Sequence, residues 1–108
     1  MNIKIQSVHF DATEKLELFA RQKVGKLDQY FDGIISAEVT MKLVKPESAE
    51  NKIAEITLAI PGNNLFAKKQ NDTFEEAVDL ACEALRKQLV KSKKKPNSKE
   101  KVSLSDIE

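Results

Sequence analysis

The chain has 108 residues, 41% of them apolar and 32% charged, with one cysteine, one histidine and a formal net charge of +1. That length supports a single hydrophobic core without metal or disulfide, and a lone thiol, Cys82, excludes an internal disulfide and suits a reducing compartment. No apolar run approaches the roughly 18 residues of a membrane span, and MNIKIQSVHF lacks the basic and apolar regions of a secretion signal, so a cytoplasmic protein with no membrane contact is expected.

Ile3, Ile5 and Ser7 alternate with Lys4 and Gln6, the period of a half-buried strand, β1. A helix start follows. Asp11 to Glu14 has capping-box spacing, and Thr13 can cap in its own right. Leu16, Phe19, Ala20, Val24, Leu27 and Phe31 then recur at helical spacing, which predicts α1 over about 13 to 30, with Gly25 costing roughly 1 kcal/mol inside it. Gly33 ends that segment. Ala37, Val39, Met41 and Leu43 alternate with polar residues as β2, the polar stretch PESAEN follows, and Ala54, Ile56, Leu58 and Ile60 mark β3 within KIAEITLAI. The turn PGNN, Pro61 to Asn64, leads into β4 at LFAKKQ.

Asp72 to Glu75 again has capping-box spacing and opens α2, whose buried stripe is Phe74, Val78, Ala81, Leu85 and Leu89. Pro96 stops it near Lys94. The remaining residues, 96 to 108, are polar and aperiodic and are read as a flexible tail on a domain of residues 1 to 95. The order β-α-β-β-β-α predicts an α+β fold. In it β1 and β2 are parallel, β2-β3-β4 form an antiparallel meander, and both helices pack on one face of a four-stranded sheet.

Little in the sequence supports catalysis. His9 has no second histidine with which to hold a metal, Cys82 fits the flank of the α2 stripe, and no glycine-rich phosphate cradle exists. No enzyme activity, metal or cofactor is expected. Charge is more informative. Residues 1 to 85 carry 10 Lys/Arg against 14 Asp/Glu, while residues 86 to 108 carry 8 against 3. Such an offset favours an anionic partner.

On a helical wheel Lys87, Lys91 and Lys94 form one ridge away from the buried stripe, and Arg86 lies on the opposite flank. In α1, Lys26 stands beside the apolar arc, and Lys23 falls inside it and must snorkel outward to the edge where a neighbouring helix or ligand meets it. Lysines in a last helical turn also offset the helix dipole, so charge alone supports a solvated helix end equally well. Two helices side by side tip the balance, because Lys23, Lys26, Lys87 and Lys91 then line one surface. Phe19, Phe31 and Phe74 are needed in the core, which disfavours base stacking on single strands; recognition of a structured RNA backbone fits better. The candidate RNA-binding set is Lys23, Lys26, Arg86, Lys87, Lys91 and Lys94.

The runs KLDQYFD (26–32), PGNNLFA (61–67), DTFEEAVD (72–79) and LRKQLVKSKKK (85–95), in that order, resemble the short ribosome hibernation-promoting factors, the family that includes ribosome-associated inhibitor A. The resemblance covers roughly residues 1 to 95. It implies a fold similar to a double-stranded RNA-binding domain with an extra leading strand. It also implies binding to the small ribosomal subunit and its 16S rRNA, in the channel used by mRNA and tRNA, so that idle ribosomes are inactivated. The family's basic helix residues correspond to Lys23, Lys26, Lys87 and Lys91, with residues 93 to 95 extending the ridge. A protein that is monomeric when free is expected. Action on ribosome dimers through a separate ribosome modulation factor, or on single ribosomes alone, both stay open. So do two alternatives: a general double-stranded RNA binder, and an interaction module that modulates a sigma factor. Two departures from the family pattern stand out: Phe74 replaces the usual Tyr, and Glu75 and Glu76 make the first turn of α2 more acidic.

Overall fold

The computed structural model describes residues 1–44 and 50–94. Its elements are β1 (Asn2–Val8), α1 (Glu14–Gly25), a 3-10 segment (Lys26–Tyr30), β2 (Ser36–Leu43), β3 (Lys52–Ile60), β4 (Asn63–Asn71) and α2 (Phe74–Lys94). The strands lie in chain order, β1-β2-β3-β4, with β1 parallel to β2 and the other two pairs antiparallel. The predicted order and pairing therefore hold.

Alternation sets which face is buried. In register, Ile3, Ala37 and Leu58 face Leu65, and Ile5, Val39 and Ile56 face Ala67, so one side of the sheet is an apolar floor. Both helices cover that side: α2 lies across β3 and β4, and α1 lies beside α2 and over β1. Ala20, Val24, Val78, Ala81, Leu85 and Leu89 are fully buried against Val39, Met41, Ile56 and Leu58. The other face is mostly polar, with Ile53 buried on it; across it runs a row Lys4, Glu38, Thr57, Phe66, one residue from each strand. Phe66 is 52% exposed there, an aromatic left free of the core.

The helix termini differ in detail from the sequence reading. Both caps are threonines: Leu16 N–H donates to Thr13 Oγ1 and Glu76 N–H to Thr73 Oγ1, each at 3.1 Å. Asp11 and Asp72 also fit the box spacing, but the cap of α1 is the alternative Thr13, two residues on, and that of α2 is Thr73, one residue on. Helix α1 also stops at Gly25 instead of running to residue 30, and the chain tightens into the 3-10 segment. In a 3-10 turn residues i and i+3 align. Leu27, buried, and Tyr30, half-buried, thus share one side, whereas Phe31 leaves the helix with φ −160°.

The hairpin between β3 and β4 is tighter than predicted. Ile60 pairs with Asn63, leaving only Pro61 and Gly62 in the turn. Gly62 has φ +79°, a value a side chain rarely tolerates, and the proline ring holds φ near about −65° before it. His9, between β1 and α1, adopts φ +68° and is exposed. Residues 95–108, which include the expected tail, lie outside the described residues.

Candidate nucleic-acid interface

Three contacts fix how the helices lie. Phe10, just before α1, stacks on Phe74, the first residue of α2, with ring centroids 4.4 Å apart. Lys23 Nζ meets Asp79 Oδ1 at 3.0 Å, and the Arg86 guanidinium lies 5.8 Å over the Tyr30 ring. The partners advance together along both segments, so the helices run parallel. Their acidic first turns, Glu14/Glu17 and Glu75/Glu76, therefore share one end of the layer, and Lys23 in the last turn of α1 lies toward the other. Each end complements the local helix dipole.

The predicted cations divide into two groups. Lys23 and Arg86 sit on the seam between the helices. Lys23 is 35% exposed, paired with Asp79, with its ammonium 5.7 Å over the Phe19 ring. The expected snorkelling thus ends on the neighbouring helix. Arg86 forks onto Glu83, with Nε 3.3 Å from Oε1 and Nη2 bonded to Oε2. That hydrogen bond, more than the charge alone, holds the Glu83 carboxyl below its ordinary range and raises Arg86 above its own.

Lys26, Lys87 and Lys91 form the second group: all are exposed, and none has an ion pair within 4 Å among the described residues. Lys87 and Lys91 border a shallow depression with Gln88 and Val90 on the outer side of α2. Gln88 itself donates to the Phe66 carbonyl at 3.0 Å and pins that part of the helix to the edge of β4. The side chain of Lys94 lies outside the described residues.

Elsewhere the chemistry is sparse. Cys82 is buried, and its thiol is pushed up to about 12, first by burial and then by the Asp79 carboxylate, with Lys23 acting in the other direction. Among the described residues no group of three or more His, Cys, Asp and Glu side chains is placed to hold a metal, and no helix is long and apolar enough to cross a membrane. Sequence reasoning did not single out Asp79, Glu83 and Tyr30 as partners of the basic residues. The i,i+3 spacing of Glu83 and Arg86 was a visible signal; the pairings across the seam had none.

Residues 3–97 match the sequence pattern of the family described as Sigma 54 modulation protein / S30EA ribosomal protein. The chain belongs to this family. The resemblance read from the four motifs therefore holds. Within the S30EA family, the chain is 31% identical over 98 residues to the ribosome hibernation promoting factor of Pseudomonas putida, covering 91% of this chain and 92% of that one. It is 32% identical over 99 residues to the ribosome hibernation promotion factor of Bacillus subtilis, covering 92% of this chain but 52% of its relative. The chain thus spans about half the length of the Bacillus protein. In fold it is similar to the N-terminal domain of Protein Y from Thermus thermophilus, with TM-score 0.73 and 25% identity over 85% of this chain and 99% of that domain. A ribosomal subunit interface protein from Coxiella burnetii shares the same S30EA fold, with TM-score 0.74 over 86% of this chain and 98% of its own.

Proposed function

We propose that this S30EA protein is a ribosome hibernation factor. It binds the small ribosomal subunit through 16S rRNA in the channel taken by mRNA and tRNA, and so holds idle ribosomes out of translation. The family match over residues 3–97 carries the reading, together with relatives whose names give the same role. The surface we assign to the contact is the basic end of the helix layer, with Lys26, Lys87 and Lys91 as its phosphate ligands and Lys94 as an extension of the ridge.

Physical chemistry favours a backbone contact here. Lysine is a compact point charge that suits phosphate, and among the described residues the two helices offer no exposed aromatic beside these lysines on which a base could stack. Such a surface reads shape and charge rather than sequence. Binding needs no cofactor and no covalent step, and its target places the protein in the cytoplasm.

Sucrose-gradient sedimentation tests the reading. The purified chain should migrate with isolated small subunits and be displaced by mRNA with initiator tRNA. Sedimentation at the top of the gradient, or displacement by a generic RNA duplex in preference to mRNA and tRNA, would overturn it. The second outcome would make the protein a duplex binder instead.

A further inference from the structure

The two seam cations are held alike. Each has an aromatic ring from the α1 side and a carboxylate from α2: Phe19 and Asp79 for Lys23, Tyr30 and Glu83 for Arg86. Asp79 and Glu83 are four residues apart, one helical turn, so both project from the same flank of α2 toward α1. The Glu83 fork presents two oxygens to a guanidinium, the geometry a phosphate would offer. Lys26, Lys87 and Lys91 have no ion pair within 4 Å among the described residues, although Lys87, one turn after Glu83, feels that carboxylate through charge.

We infer that Asp79 and Glu83 are internal phosphate mimics. They hold Lys23 and Arg86 out of the polyanion-binding set and leave the RNA to Lys26 and the outer ridge of α2. The inference rests on the reading of this surface as one that binds RNA phosphates, and it names which cations take part.

The reasoning is competitive. An arriving phosphate must displace Glu83 from Arg86, so the new contact replaces an old one and little is gained. The displaced carboxylate then stands beside the phosphate, a like-charge neighbour in the same groove. Lys91, by contrast, exchanges only water and a loosely held counterion, and counterion release drives the association. The seam carboxylates therefore cap the number of phosphates neutralised. They also set which side of the helix pair the backbone can follow.

The test uses the full chain on immobilised heparin, a polyanion with neither grooves nor bases, eluted isocratically over a range of KCl. Each added contact should steepen log retention against log salt by about 0.9, the duplex value. Glu83→Gln keeps the shape of the side chain and should steepen the slope by that amount, so retention falls about 3.5-fold more between 50 and 200 mM. Arg86→Ala alone should leave the slope at the wild-type value, whereas Arg86→Ala added to Glu83→Gln should return it there. A carboxylate that merely repelled polyanions would not produce that dependence on Arg86. Circular dichroism melts establish that each variant is folded.

The inference is overturned if Arg86→Ala alone flattens the slope as much as Lys87→Ala does. It is equally overturned if the double variant behaves like Glu83→Gln, or if the wild type is not retained. Parallel sedimentation with small subunits separates this from the ribosomal reading: the heparin pattern without subunit binding would sink that reading and leave the seam inference standing.

Discussion

Replacing Lys87 and Lys91 together with alanine removes two exposed ammonium groups from the outer ridge of α2 while leaving the core untouched. Neither has an ion pair among the described residues, and the buried side chains of this part of the helix are Leu85 and Leu89. If each lysine neutralises one phosphate, log K against log salt should flatten by about 0.9 per lysine, or about 1.8 for the pair. Between 50 and 200 mM KCl the wild type would then lose about 12-fold more affinity for small subunits than the double variant does. Folding stability should stay within about 0.5 kcal/mol, the range of surface substitutions that break no specific contact. Fluorescence anisotropy with a labelled chain and purified small subunits, repeated at four or five salt concentrations, reads the slope, and urea titration reads the stability. An unchanged slope would refute the assignment of these lysines as phosphate ligands. A flattened slope accompanied by a loss of stability above about 1 kcal/mol would refute the claim that they lie outside the structural core.

Cys82 predicts alkaline behaviour. Its folded-state value, about 12, lies above the 9.0 of a free thiol, so its contribution is intact below pH 9 and is lost as pH rises from 9 through 12. The stability difference between wild type and Cys82→Ala should shift by about 1.4 kcal/mol against the wild type between pH 8 and 10, read by urea unfolding; a flat difference would contradict the burial argument. Leu85→Ala, at a site with no exposure on the helix face against the sheet, should cost about 2–5 kcal/mol in the same assay. Thr73→Ala should cost about 1 kcal/mol by removing the cap on Glu76 N–H, whereas Asp72→Ala should cost less. Gln88→Ala frees the Phe66 carbonyl on the outer edge of β4, and light scattering should detect more self-association at high concentration.

Much of the fold was legible because it follows from local periodicity. Burial alternates from Ala54 to Ile60, and β3 contains that span. The Phe74, Val78, Ala81, Leu85, Leu89 stripe repeats at helical spacing, and every member is buried. The end of α1 was not legible, because the apolar spacing through Leu27 suits an α-helix as well as a 3-10 turn. Packing decides between them: the tighter turn buries Leu27 and lets Tyr30 reach Arg86. Local spacing leaves the cap of α1 open between two residues for a similar reason. Asp11/Glu14 and Thr13/Glu17 both offer an N-cap candidate near an acidic residue, and only the observed backbone bond from Glu17 N–H to the Thr13 carbonyl selects one.

The sequence by itself determined the order of strands and helices, the buried face of each, and the concentration of positive charge late in the chain. All of these depend on neighbours within a few positions, where spacing is geometry. Tertiary structure decided which basic residues are held by a partner across the helix seam. Lys23 and Arg86 are as basic in the sequence as Lys87 and Lys91, yet parallel packing brings Asp79 against one, and Tyr30 from the α1 side against the other. Lys23 and Asp79 are 56 positions apart. No periodicity can report a contact over that separation, because it exists only once both helices are seated on the same sheet.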